Sequence, residues 1–160
     1  MLMNKITLLL AMVIVAGHGE LANSAESTEN DVAELLALHE KVLQAHRVTD
    51  IDMLMEDAAN DYILVTSGEV LYPSLEERKL RLGEYFAITQ FDKYEDSIPP
   101  VVKISDDGSL AWLIARVSVA GVQDISGNSH SIEFVSAWIE LYENRNGQWT
   151  QIGNVSNFKP

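Results

Sequence analysis

Residues 110–158 read LAWLIARVSVAGVQDISGNSHSIEFVSAWIELYENRNGQWTQIGNVSNF. Three runs rich in β-branched and aromatic residues, Leu110–Ala120, Ser129–Glu143 and Gln148–Phe158, are separated by Gly127-Asn128 and by Asn144-Arg145-Asn146-Gly147. Turn clusters between alternating runs predict an antiparallel meander. Side chains alternate along a strand. Trp112, Ile114, Arg116 and Ser118 therefore share a face opposite Leu113, Ala115, Val117 and Val119. In the second run Ile132, Phe134, Ser136, Trp138 and Glu140 lie together, opposite Glu133, Val135, Ala137, Ile139 and Leu141. In the third, Thr150, Ile152, Asn154, Ser156 and Phe158 form one face.

Upstream of this meander, Asp106-Asp107-Gly108 is a tight hairpin signal after the strand Val101–Ser105. Pro99-Pro100 closes a strand over Phe91–Ile98, because proline cannot sit in a central ladder. Ser74-Leu75-Glu76-Glu77 is a capping box opening a helix with Leu75, Leu82, Tyr85 and Phe86 inward. Tyr62–Thr66 is a strand turned back by Ser67-Gly68-Glu69. Thr49-Asp50-Ile51-Asp52 caps a short helix over Ile51–Ala59. Before it, Val32, Leu35, Leu36, His39, Val42, Leu43 and His46 recur at spacings of three and four, predicting an amphipathic helix from Asp31 to Arg47. Helices first and a meander last make an α+β layout without internal repeat or second domain.

Of 160 residues, 47% are hydrophobic and 22% charged, which is globular composition and excludes a disordered chain. Eleven basic against 24 acidic residues give a net charge of −13, which argues against nucleic-acid and membrane-surface partners. With no cysteine, disulfides, thiolate metal sites and a Cys nucleophile are excluded. Lys5 precedes the apolar run Ile6–Gly17, too short to span a bilayer, and small residues follow at Ala22-Asn23-Ser24-Ala25. Residues 1–25 thus read as a signal peptide cut after Ser24 or Ala25. That leaves a single periplasmic or secreted domain over 26–160, with no membrane partner after cleavage.

The order of elements carries a resemblance. Thr49-Asp50-Ile51-Asp52 with its short helix, the Asp61-Tyr62 strand, the Gly68 turn and the Ser74-capped helix resemble the nuclear transport factor-like superfamily. The ending Trp138-Ile139-Glu140-Leu141-Tyr142, Asn146-Gly147-Gln148-Trp149, Ile152 and Ser156 is similar to its SnoaL-like and calcium/calmodulin-kinase-association-like branches. The resemblance covers the whole expected mature chain. It implies a cone-like curved antiparallel sheet with N-terminal helices closing a pocket, a cystatin-like roll, and homodimerisation through the sheet. The superfamily holds isomerases, dehydratases, epoxide hydrolases, cyclases and members without known chemistry, so the site must carry the functional argument.

His39 is the candidate acid or base, since a histidine on a pocket-facing stripe titrates near neutrality. His46 stands about two turns, roughly 10 Å, further along. Arg116 either pairs with Glu133 or Glu140 or faces the pocket and binds a carboxylate or phosphate. The Trp138 face, with Phe134 and Ser136, is the expected pocket wall, and Asn154 and Ser156 are polar anchors. Tyr62 is a further ligand-binding candidate, with Thr66, Tyr72 and Tyr94 secondary. Ketosteroid isomerase uses an Asp base and an oxyanion hole of a Tyr and a protonated Asp. Aligned on Thr49–Asp52, the tyrosine's place falls at Val42, the base's at Thr66 and the second acid's near Ser136, none of which supplies the chemistry. Asp50, Asp52, Glu56, Asp57 and Asp61 form an acidic patch spaced as a solvated helix face, and no metal or other cofactor is expected. Small-molecule binding is the leading expectation. An acid–base lyase, isomerase or hydrolase in the same pocket, and a structural dimerisation module, are the alternatives.

Overall fold

The computed structural model describes residues 18–159, with side chains from 28 to 157; the apolar run of the expected signal peptide lies outside the described residues. The elements are α1 (His18–Arg47), α2 (Ile51–Met55), β1 (Ala58–Thr66), β2 (Glu69–Leu71), α3 (Leu75–Ile88), β3 (Thr89–Asp96), β4 (Val101–Ile104), β5 (Leu110–Ile125), β6 (Asn128–Asn144) and β7 (Trp149–Lys159). Several boundaries differ from expectation, among them the end of β5, which runs on to Ile125 rather than stopping at Ala120. Helix α1 runs back through the polar stretch Glu26–Asn30 because neither Gly nor Pro interrupts residues 20–47. Helix α2 stops at Met55, and β1 takes over at Ala58.

The α1–α2 corner is made by Thr49 in the left-handed region (φ 53°), which lets the Asp50 N–H reach back to the Ala45 carbonyl at 2.9 Å. Asp50, not Thr49, then caps α2, accepting from the Met53 N–H at 2.9 Å. Thr49 is instead committed to the corner and donates its hydroxyl to the Val48 carbonyl. Helix α3 opens on the expected capping box: the Ser74 hydroxyl accepts from the Glu77 N–H, and the Glu77 carboxylate from the Ser74 N–H.

Seven strands form one curved sheet in the order β2-β1-β7-β6-β5-β3, with β4 also on β5. The pairs are antiparallel except β1 on β7, which are parallel. The register decides which side chains share a face. Leu113 pairs with Glu140, Glu140 with Asn154 and Asn154 with Leu64, so one row crosses four strands on the helix side. The next row runs Ala115, Trp138, Ser156. Buried Leu35, Leu43 and His39 of α1 pack toward this face, over Leu113, Ala115, Val117 and Val119. Each buried leucine contributes roughly 1.5–3 kcal/mol. Trp149 Nε1–H donates to Asp31 at 3.0 Å, tying β7 to the start of the packed part of α1.

Three register shifts interrupt the sheet, one of them between β1 and β7 from Ala58 to Ile63. Between β3 and β5 the register shifts after Phe91, and opposite stands Gly121, where an added Cβ would lie 2.2 Å from the Gln90 carbonyl. Between β6 and β7 it shifts after Leu141, so Tyr142 pairs with Gln151. This bulge corrects the simple alternation read for the last strand: Gln151 joins Asn154 and Ser156 on the helix side.

Candidate functional site

The concave face and the three helices enclose a cavity of about 370 Å³. Helix α1 contributes Val42 and His46, α2 Leu54 and Met55, α3 Arg78, Arg81, Leu82 and Tyr85. The sheet supplies Tyr62, Leu64 and Thr66 from β1, Tyr94 from β3, Ser136, Trp138 and Glu140 from β6, and Gln151, Asn154 and Ser156 from β7. The wall is thus apolar and aromatic with a small convergent polar set, the usual make-up of a ligand site.

Glu140 is fully buried and three donors converge on it. Trp138 Nε1–H (2.7 Å) and His39 Nδ1–H (3.1 Å) donate to Oε1, and the Tyr142 hydroxyl donates to Oε2 (2.7 Å). On its other side His39 Nε2–H meets both oxygens of Asp96 at 3.1 and 3.2 Å. Burial pulls the His39 pKa down, but the hydrogen bonds and charges of Glu140 and Asp96 outweigh it and hold the pKa above its ordinary value. Below pH 6.5 the arrangement is an imidazolium clamped between two carboxylates. Burial, with the same carboxylate, raises the Tyr142 hydroxyl well above its usual range.

This geometry corrects the expectation for His39. Both ring nitrogens are occupied by carboxylates, so His39 has no nitrogen to offer a substrate, and it lies behind Glu140 outside the cavity lining. His46 stands in the lining instead. Its Nδ1–H donates to the Val42 carbonyl at 2.7 Å, which fixes the tautomer and leaves the Nε2 lone pair with no partner among the described residues. The ring stacks on Tyr94 (centroids 4.2 Å apart) and meets the edge of Phe86. Burial lowers its pKa to about 4, so the imidazole is neutral at pH 7.

Arg116 is likewise corrected. In the β5–β6 register it pairs with Ala137, one step off the Trp138 row, so it points away from the cavity. It is exposed and donates to the Ser97 hydroxyl at 2.8 Å rather than to Glu133 or Glu140. Phe134 is on the helix side but opposite Val119, further along β6, where it packs against the core outside the cavity lining. Tyr62, Ser136, Trp138, Asn154 and Ser156 all line the cavity. Two of their hydroxyls are engaged: Ser136 donates to the Asn157 carbonyl, and Ser156 donates to Thr66 at 3.3 Å. Of the secondary tyrosines, Tyr94 lines the cavity and Tyr72 is exposed. Val42, Thr66 and Ser136, the places aligned with the isomerase groups, line it as well. Members of the acidic patch hold ion pairs: Asp52 with Lys79, Glu56 and Asp57 with Lys41, and Asp61 with Arg145.

Arg78, Arg81 and Gln151 are polar lining residues that the sequence reading does not single out. Glu140 was visible on the Trp138 face but was weighed only as a partner for Arg116. Arg78 falls three residues after Leu75 and four before Leu82, on the inward stripe of α3, and that spacing alone would have found it.

No protein-family model matches the chain, and no curated protein does. Solved structures do. A conserved protein from Planctomyces limnophilus superposes with a TM-score of 0.67 at 14% identity, covering 82% of this chain and 98% of that one. A ketosteroid isomerase-like protein from Erwinia carotovora atroseptica gives 0.63 at 15% identity, over 80% and 96%. An NTF2-like (nuclear transport factor-like) protein from Cytophaga hutchinsonii gives 0.61 at 16%, also over 80% and 96%. The likeness at these identities is one of architecture, and the chain has the α+β fold of the NTF2-like proteins, a curved sheet closed by its helices.

Proposed function

We propose that this chain is a small-molecule-binding domain whose ligand sits in the cavity between α1–α3 and the sheet. The observation that carries the reading is the cavity itself: about 370 Å³, walled by Tyr62, Leu64, Leu82 and Trp138, with polar groups converging from Gln151, Asn154 and Arg78. At the roughly 30 Å³ that a water molecule occupies in the liquid, it has room for about a dozen non-hydrogen atoms. Native mass spectrometry of gently purified protein tests this, with Leu64→Trp as the cavity-filling control. A defined extra mass retained by the wild type and absent from the variant supports the reading. Equal empty masses, with no small aromatic or alkyl probe raising the melting temperature, refute it.

A second reading has its own observation. The unpartnered Nε2 of neutral His46, held in one tautomer by Val42, is a general base at the wall of the chamber. In an acid–base lyase, isomerase or hydrolase, His46→Gln would abolish turnover while leaving ligand affinity within a few-fold.

Homodimerisation through the sheet belongs to the same proposal, supported by Leu110, Trp112 and Ile114, which stand exposed along the outward face of β5. Native mass spectra read it directly, and a monomer at micromolar concentration would overturn it. Export to the periplasm or medium is proposed on the leader-like residues 1–25, and an exported chain beginning at Ala25 or Glu26 is the expected product.

A further inference from the structure

Arg78 is 3% exposed and lines the cavity, yet no carboxylate among the described residues pairs with it. One Nη2–H donates to the Ala59 carbonyl, the guanidinium lies 4.1 Å over the Tyr62 ring, and Nε has no acceptor among the described residues. A buried guanidinium normally finds an anion, because an unanswered charge in a low-dielectric wall is expensive. The contrast within one cavity is sharp. Glu140 is matched by three donors, while Arg78 has a single carbonyl and a π face. The second cation of the lining, Arg81, follows one turn later on α3. Two of the chain's 11 basic residues thus border one chamber in a protein of net charge −13.

We propose that the ligand is a monocarboxylate with an aromatic or apolar body of about a dozen heavy atoms, its carboxylate completing the coordination of Arg78 near Arg81. The body lies against Tyr62, Leu64, Leu82 and Trp138. This rests on the binding reading above and deepens it by naming the chemistry of the head group. Glu140 weakens the attraction without cancelling it, since its one negative charge stands against the two guanidinium groups of Arg78 and Arg81 in the same lining.

Cinnamate and its neutral counterpart cinnamamide are the probes, titrated against the full expressed protein by Trp fluorescence and calorimetry. The expected result is cinnamate binding at least about tenfold more tightly than cinnamamide, the ratio falling to about one in Arg78→Met and less steeply in Arg81→Gln. Arg81 is exposed, so its variant reports even where the buried substitution impairs folding. Equal binding of the two probes, or an unchanged ratio in Arg81→Gln and in folded Arg78→Met, overturns the carboxylate inference and leaves the binding reading standing. Absence of binding by either probe at millimolar concentration overturns the carboxylate inference, while the retained-mass test above decides the binding reading by itself.

Discussion

Replacing Glu140 by Gln isolates the charge of the buried cluster from its shape. The amide oxygen can still accept from Trp138 and His39, and the amide nitrogen can donate to the Tyr142 hydroxyl oxygen, so the hydrogen-bond count is nearly kept. What is lost is the carboxylate facing an imidazolium. Breaking a buried ion pair outright costs about 3–5 kcal/mol. Asp96 stays on the other side of His39, so the cost here is about 2 kcal/mol. The pH dependence follows from the raised His39 value. Stabilisation by a group whose folded pKa exceeds its unfolded 6.5 is fully present below 6.5 and fades as pH rises through the folded value. Glu140→Gln should therefore lower the urea midpoint by about 1 M near pH 6, and the gap should close on the alkaline side, where His39 is neutral in both proteins. A midpoint within about 0.2 M of wild type near pH 6, or a deficit that stays constant up to pH 10, would refute the clamped imidazolium.

Two other perturbations are equally direct. For His46, folded at about 4 against 6.5 unfolded, the unfolded chain binds the extra proton between those values, so stability rises with pH across that window by up to about 3 kcal/mol. His39 is protonated in both states over the same window and adds no slope, so His46→Phe should flatten the urea midpoint between pH 4 and 6.5; parallel wild-type and variant profiles would contradict the assignment. Gly121→Ala should cost about 2 kcal/mol or more in chemical denaturation, because its Cβ would fall 2.2 Å from the rigid Gln90 carbonyl, and a neutral substitution would mean that the β3–β5 bulge yields freely.

The meander was legible almost residue by residue, because its strands are long and bounded by Gly–Asn turns that admit positive φ at Gly127, Asn146 and Gly147. The site was legible only where a face could be chosen without knowing a partner. Trp138 and Ser136 were chosen for chemistry and lie in the cavity lining. For Arg116 the sequence leaves open an ion pair or a pocket-facing role, because the faces of neighbouring strands are tied only through the register. Its ladder partner proved to be Ala137, which sends it outward. His39 and His46 show a different limit. Both stand on the α1 stripe seven residues apart, and periodicity cannot tell which meets carboxylates and which meets open space. That was decided by Asp96, Glu140 and Val42, two of them distant in sequence.

Arg78 permits a test that separates a structural role from a recognition role. If its guanidinium were a keystone, removing it would cost as much as breaking any buried ionic contact, about 3–5 kcal/mol. Its surroundings argue otherwise. Burial already pulls its pKa down, opposed by the Tyr62 phenol. Replacing it with Met removes a poorly compensated charge, which favours the folded state, and strips the Ala59 carbonyl of a donor, which disfavours it by about 1–3 kcal/mol. These terms oppose each other, so the ligand-free Arg78→Met protein should stay within about 1 kcal/mol of wild type by urea denaturation, well short of the Glu140→Gln loss. With cinnamate present the wild type alone should gain stability, by the mass-action term set by its affinity. A loss above 3 kcal/mol without ligand would make Arg78 a structural cation, its vacant Nε a tolerated defect. A near-neutral change would instead mean that the charge is kept at this position for something the folded chain alone does not contain.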